Sequence, residues 1–135
     1  MSFGYALKKF RDERGLSLRE FGILCGIDHA YVYRLEKGQK TSPSEEVVDS
    51  FARTLKLNPR RARLLRILVG KTINMQLIDV FLEDEERPLE LFEPLAQMSF
   101  RGKMPETKDD WRRQADRLHA FLGEHEDSWK NSPLP

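Results

Sequence analysis

Apolar residues recur every three or four positions along most of the chain, which is the spacing that places them on one face of an α-helix. Before residue 70 this pattern predicts helices over 3–14, 18–25, 29–37 and 43–57, and a fifth helix that starts at Pro59 after Asn58 as its cap. Beyond residue 72 it predicts a helix over 73–81, helical pieces that bend or split at Pro94, and a helix over 108–122. The chain is therefore predicted to be all-α.

The stretch 17–38 carries clear start and stop signals for two short helices. Ser17, with Glu20 three residues later, forms a capping box at the start of the first helix. Gly26 ends that helix, because glycine adopts the left-handed conformation easily, and Asp28 N-caps the next one. The stretch predicts a helix, a tight turn and a second helix.

The second helix of this pair has an apolar face and a polar face. Val32 and Leu35 point inward, and the residues that point outward are His29, Ala30, Tyr31, Tyr33, Arg34 and Lys37. Such a surface suits the base edges and phosphates of a DNA major groove.

The pattern changes after Gly70-Lys71-Thr72, where we place the boundary between a domain at 1–69 and a second domain at 73–123, with a flexible tail at 124–135. Apolar residues in 73–81 are spread too widely for one packing stripe, so this helix needs cover on more than one side, and a second protomer is a natural source. Thr107 with Asp110 forms another capping box.

Charge divides the chain in the same way. Residues 1–70 carry 14 Lys/Arg and 8 Asp/Glu, a net charge of +6, whereas residues 71–135 carry 9 and 14, a net charge of −5. A basic first half and an acidic second half fit a nucleic-acid module joined to a module that does not bind DNA.

A single cysteine excludes an intramolecular disulfide framework. The chain has neither a membrane-length apolar run nor a signal-peptide core, so we expect a cytoplasmic protein without a membrane partner.

The motifs in the first half resemble the helix-turn-helix of the Xre/Cro/phage-repressor class. The residues that carry the resemblance are Arg11, Gly15-Leu16-Ser17, Phe21-Gly22, Gly26-Ile27 and Arg34-Leu35-Glu36-Lys37-Gly38. The resemblance implies a five-helix lambda-repressor-like domain, a pair between Arg11 and Glu36, and a bacterial or phage protein that associates with the nucleoid. The chain departs from the family at Leu18, where a phosphate-binding Gln is usual, and at Gly22, where Ala is usual.

The same resemblance implies which residues bind a double-stranded DNA operator. His29, Ala30, Tyr33 and Arg34 are candidates for base edges, although Arg34 could instead bind a phosphate, and Tyr31 could pack on a backbone sugar. The further DNA-binding candidates, which include the loop after Gly38, are Ser17, Arg19, Lys37, Gln39, Lys40 and Thr41. The arginines at 60, 61, 63 and 66 could form a second phosphate patch or a solvated face.

Residues 95–122 resemble the carboxy-terminal domain of DdrO-type repressors, through Arg101-Gly102-Lys103, Pro105 and Asp110-Trp111. The resemblance implies a homodimer through residues 73–123 and a partner zinc metallopeptidase of the ImmA/IrrE type. The cut would fall between Phe100 and Arg101, and a plain loop between helices is the alternative. Related regulators serve DNA-damage responses, mobile elements and anti-phage defence.

Catalytic and metal-binding motifs are missing. The three histidines form no HExxH motif, and the chain has no CxxC motif and no phosphate-binding glycine loop. We therefore expect no enzyme activity, no cofactor and no metal site. The prediction is a transcriptional repressor that acts as a dimer on a palindromic operator. The alternatives are an antitoxin that regulates its own operon and a subunit that recruits polymerase.

Overall fold

The computed structural model describes residues 2–40 and 42–124, and this part of the chain is helical and contains no strand. The predicted all-α fold is confirmed. The helices are α1 (Ser2–Glu13), α2 (Leu18–Cys25), α3 (His29–Glu36), α4 (Glu45–Thr54), α5 (Pro59–Ile67), α6 (Met75–Glu83), α7 (Phe92–Gln97) and α8 (Lys108–Glu124), with a 3₁₀ turn at Leu89–Leu91 before α7. Most of the predicted tail, residues 125–135, lies outside the described residues.

Local caps start and end α2 and α3 as predicted. The Ser17 hydroxyl accepts a hydrogen bond from the Glu20 N–H at 3.0 Å, and the Glu20 carboxylate accepts one from the Ser17 N–H at 3.2 Å. Gly26 adopts a left-handed φ of 71°, and the Asp28 carboxylate accepts from the Ala30 N–H at 2.9 Å. The tight turn between these helices therefore follows from side chains within a few residues of it.

Helix α4 is shorter than the predicted span of 43–57. It begins after Ser44, whose hydroxyl accepts a hydrogen bond from the Val47 N–H at 3.3 Å. It ends before Lys56, which has a positive φ of 53° and cannot continue a right-handed helix. A cap at Ser44 and a left-handed residue at Lys56 account for both differences.

The carboxy-terminal helices differ from the prediction at their ends. The predicted break at Pro94 is wrong, because Pro94 lies in the first turn of α7, where a missing N–H removes no helical hydrogen bond. Helix α6 begins after Asn74, whose side-chain oxygen accepts from the Gln76 N–H at 2.9 Å. Helix α8 continues past the predicted end at Leu122 to Glu124.

The five buried apolar residues of α6 are covered within the chain. They are Leu77, Ile78, Val80, Phe81 and Leu82, and α6 contacts α1, α7 and α8. The helix is covered on more than one side, as predicted, but a second protomer as the source of that cover is wrong, because helices of the same chain pack on its different sides. The homodimer itself stays a prediction.

The carboxy-terminal helices pack directly on the first half of the chain. The buried apolar residues form one continuous cluster from Phe3 in α1 to Ala115 in α8. The Tyr5 hydroxyl donates to the Asp79 carboxylate at 2.7 Å, and the Lys9 ammonium lies 2.9 Å from the same oxygen. Burial and the bond to Asp79 raise the pKa of Tyr5 to about 12. The division into 1–69 and 73–123 stays a prediction.

Candidate nucleic-acid interface

Helix α3 is packed by its apolar face against the first half of the chain. Val32 is fully buried and Leu35 is almost so. Gly22 of α2 permits a close approach, because a Cβ atom at this position would lie 2.7 Å from the Ile27 carbonyl oxygen and 3.1 Å from the His29 Cβ. The turn and the start of α3 are therefore held tightly against α2.

The opposite face of α3 is open to solvent. The exposed residues on this face and at its end are His29, Ala30, Tyr33, Arg34 and Lys37. Tyr31 differs from the prediction, because it is half-buried and packs against the core. The Lys37 ammonium lies 5.6 Å from the centre of the Tyr33 ring, so a cation sits over the aromatic face at the end of the helix.

An ion pair locks α1 to the end of α3. The Arg11 guanidinium donates two hydrogen bonds to the Glu36 carboxylate, at 2.7 and 2.9 Å, and a third to the Leu16 carbonyl oxygen at 2.7 Å. The side chains of Arg11 and Glu36 are 9% and 3% exposed. The hydrogen bond to Glu36 raises the pKa of Arg11 above its usual value. The predicted pair is thus present, and it fixes the orientation of α3.

The loop after α3 turns back on the helix. Gly38 has a φ of 76°, and the backbone N–H groups of Gln39 and Lys40 both donate to the Arg34 carbonyl oxygen, at 2.9 and 3.2 Å. The side chains of Lys37, Gln39 and Lys40 are exposed next to the open face of α3. Thr41, which was predicted to bind DNA with them, lies outside the described residues.

Two further candidates lie at the start of α2. Ser17 and Arg19 are both exposed. The hydroxyl of Ser17 already accepts the capping bond from Glu20, so it can still donate its proton to a phosphate oxygen. The structure thus places these residues at a helix start, where anions are favoured.

The arginines of α5 form neither a single phosphate-binding patch nor a single solvated face. Arg60 is half-buried and donates to the carbonyl oxygens of Phe81, Asp84 and Arg87, which lie at and beyond the end of α6. Burial lowers the pKa of Arg60 below its usual value. This arginine therefore joins the two halves of the chain instead of facing a phosphate.

The other three arginines are paired with carboxylates. Arg61 lies 2.7 Å from Glu13 and 3.0 Å from Glu85, and Arg66 lies 2.9 Å from Asp49. Arg63 is exposed and lies 3.7 Å from Glu90. Sequence reasoning missed these pairs, although for Arg61 the acidic run at 83–86, which supplies Glu85, was a complementary signal in the same chain.

The predicted cleavage loop joins α7 to α8. Phe100 is half-buried, and its ring meets the buried ring of Trp111 edge-on, with 5.7 Å between the ring centres. Arg101, Gly102 and Lys103 are exposed, and Gly102 has a positive φ of 84°. The bond between Phe100 and Arg101 thus lies where the chain leaves the core and enters an exposed turn.

Other kinds of site receive no support from the described residues. No helix among them is long and apolar enough to span a membrane. No group of three or more His, Cys, Asp or Glu residues in 2–40 and 42–124 is arranged to hold a metal ion.

Residues 2–66 match a protein-family model described as a helix-turn-helix domain. No curated protein matches the chain. The matched residues include α1 to α4 and most of α5, and with them the capped turn, the open face of α3 and the Arg11–Glu36 pair. The chain therefore contains a helix-turn-helix domain at residues 2–66, which indicates a DNA-binding regulator.

Proposed function

We propose that this protein is a transcriptional repressor that binds a palindromic double-stranded DNA operator as a homodimer. The observation that carries the proposal is the open face of α3, which presents polar and cationic side chains while its apolar face is buried. In helix-turn-helix proteins the second helix of the motif enters the major groove. Here that helix is α3, and the Arg11–Glu36 pair holds it in place.

The side chains of this face have complementary roles at DNA. Arg34 can make a paired contact to guanine O6 and N7, or it can bind a phosphate. His29 can reach a base edge from the first turn of α3, and Ala30 can contact a thymine methyl group. Lys37 and Lys40 carry the positive charges that neutralise phosphates, which adds affinity without base preference.

A dimer follows from the small size of this surface. Helix α3 has only 8 residues, so one copy offers few base contacts. Two linked copies on half-sites about 34 Å apart gain affinity through effective concentration. Within residues 73–123, exposed large apolar side chains support an interface between copies: Met75, Met98 and Met104.

The test begins with selection of binding sites by the full chain from a pool of random double-stranded DNA. Fluorescence anisotropy then compares the affinity of the wild type with that of Arg34→Ala and Lys40→Ala on the selected site. Both variants should bind more weakly, and Lys40→Ala should also reduce the salt dependence by about one phosphate contact. Arg63→Ala is the control, because it removes one positive charge that faces Glu90.

Several results would contradict the proposal. Selection of no common sequence would exclude a sequence-specific regulator, and unchanged affinity in both variants would exclude this face of α3. Sedimentation equilibrium tests the homodimer directly. A reporter under the selected operator gives the sign of regulation, and copurification with a small toxin would favour an antitoxin.

We further propose that proteolysis between Phe100 and Arg101 inactivates the repressor, with a zinc metallopeptidase of the ImmA/IrrE type as the partner. The exposed turn at 101–103 supports this, as does the position of Phe100 at the edge of the core. The cut would detach α8, which supplies Trp111 and Ala115 to the core. Incubation with the peptidase followed by intact mass measurement should show this bond cut, and a cut elsewhere or no cut contradicts the site.

A further inference from the structure

The carboxylate of Asp28 caps the N-terminal end of α3. Its side chain is 70% exposed. One oxygen, Oδ1, accepts the capping hydrogen bond from the Ala30 N–H at 2.9 Å, and the His29 ring nitrogen Nδ1 lies 3.8 Å from the same oxygen. Among the described residues, no hydrogen bond to the second oxygen, Oδ2, is present. Asp28 thus offers a charged acceptor next to the base-edge candidates His29 and Ala30.

A carboxylate at this position restricts which bases can lie next to it in a DNA major groove. An ionised carboxylate only accepts hydrogen bonds. Guanine O6 and N7 and thymine O4 are also acceptors, so they repel it, and the phosphates repel it as well. The cytosine N4 and adenine N6 amino groups are donors in the major groove, but the N7 acceptor of adenine lies beside N6 and repels the carboxylate. Cytosine is therefore the base from which Asp and Glu accept.

Capping does not require this charge. Asn and Ser cap a helix about as well as Asp, since each offers a side-chain oxygen to the same N–H groups. The negative charge adds only a small interaction with the helix dipole, at most about 1 kcal/mol at an exposed position, and at DNA it weakens binding unless a base donates to it. If a base donates a hydrogen bond to Oδ2, the carboxylate weakens binding to the other bases but not to that one, so the protein prefers that base.

We propose that Asp28 is a specificity-determining residue that selects cytosine at one base pair of each operator half-site. This inference rests on the proposed function, because it assumes that α3 enters the major groove. Oδ1 keeps α3 capped, while Oδ2 accepts a hydrogen bond from cytosine N4. The residue discriminates chiefly by rejecting the bases that present acceptors at or beside the same point.

The experiment compares the sites selected from random double-stranded DNA by the wild type, Asp28→Asn and Asp28→Ser. The wild type should select cytosine at one symmetry-related pair per half-site. In both variants this preference should fall by about tenfold while the other positions keep theirs. Thermal unfolding of the variants should stay close to that of the wild type, because the cap is retained and only the small helix-dipole contribution of the charge is lost.

Glu45→Gln is the matched control. It removes one negative charge from the exposed first turn of α4, where Ser44 supplies the cap. This variant should change affinity evenly for all sequences and leave the cytosine preference intact.

The outcomes separate the two proposals. If the wild type selects no sequence, the proposed function fails, and this inference fails with it. If the wild type selects a sequence and both Asp28 variants select the same one with the same preferences, only the role of Asp28 is overturned. An even rise in affinity without a change at any single pair also overturns it, because that result needs only general repulsion.

Discussion

Replacement of Glu36 by Gln removes the nearer partner charge of Arg11, leaves only the more distant Asp12 carboxylate at 3.8 Å, and keeps the shape of the side chain almost unchanged. Arg11 is 8% exposed, so water cannot replace the lost carboxylate. The variant keeps one carbonyl oxygen as an acceptor but loses the ion pair. We therefore expect Glu36→Gln to destabilise the fold and to loosen α3 against α1.

Two routes give the magnitude. The pair contains two hydrogen bonds between charged groups, which contribute about 1.5–3 kcal/mol each. Breaking a buried pair by removal of one partner costs about 3–5 kcal/mol. Because Gln still accepts one bond, we expect a loss of about 3 kcal/mol, which is a large part of the roughly 5–15 kcal/mol by which a domain is stable.

Urea unfolding followed by circular dichroism measures this loss. Lys8→Met is the control, because Lys8 and Asp12 form an ion pair in which both side chains are more than half exposed. Such a pair contributes at most about 1 kcal/mol. The double variant Arg11→Met/Glu36→Leu should recover stability relative to Glu36→Gln, since no charge is left buried.

The reasoning is refuted if Glu36→Gln destabilises the protein no more than Lys8→Met does. It is also refuted if the two single substitutions, Arg11→Met and Glu36→Leu, simply add in the double variant. Additivity would mean that the two residues contribute independently and that α3 is not fixed by their contact.

Four other outcomes follow, three from the packing and one from the ion pair of Glu83 with Lys108. Gly22→Ala should lower the free energy of unfolding by about 1–3 kcal/mol, because its Cβ would meet the Ile27 carbonyl at 2.7 Å. Gly123→Ala, with nothing within 4 Å of the new Cβ, should raise it by up to about 1 kcal/mol; urea unfolding tests both. Trp111→Ala should lower it by about 3–5 kcal/mol in the same assay. Hydrogen bonding from Lys108 lowers the pKa of Glu83 below 4.5, so its contribution to stability is present above pH 4.5 and is lost as the pH falls through the lowered value. The difference in unfolding free energy between the wild type and Glu83→Gln should therefore disappear in acid, and a difference that persists there would contradict the ion pair as its cause.

Helix starts were predictable because caps are local. The box of Thr107 and Asp110 is present in both directions, at 3.1 and 3.2 Å, like that of Ser17 and Glu20. In each case the donor and the acceptor lie within three residues of each other, so the contact can be predicted from the sequence alone. The open face of α3 was predictable for a similar reason, since helical periodicity separates Val32 and Leu35 from the polar residues, although it wrongly placed the half-buried Tyr31 on the open face.

The contacts between the two halves of the chain could not be read in the same way. Arg60 meets carbonyl oxygens 21 to 27 residues away, and periodicity on α5 says nothing about what lies opposite. The prediction that a second protomer covers α6 was wrong for the same reason. A spread of apolar residues shows that a helix is buried on several sides, but it does not tell whether the cover comes from this chain or from another.

The order of the helices indicates how a cut in the loop after α7 would affect DNA binding. Helix α1 contacts both α3 and α6, and α8 contacts α6 and the 3₁₀ turn before α7. Loss of α8 would remove Trp111 and Ala115, but the aromatic core of the first half, with Phe10, Phe21 and Phe51, consists of residues before the cut. The Arg11–Glu36 pair also precedes the cut. The fragment that ends at Phe100 should therefore bind a single half-site as tightly as the intact chain and lose affinity only on the full palindrome. Anisotropy titrations on half-site and full-site DNA separate these cases. An equal loss on both would mean that α8 acts on α3 through α6 and α1 instead of through a second copy.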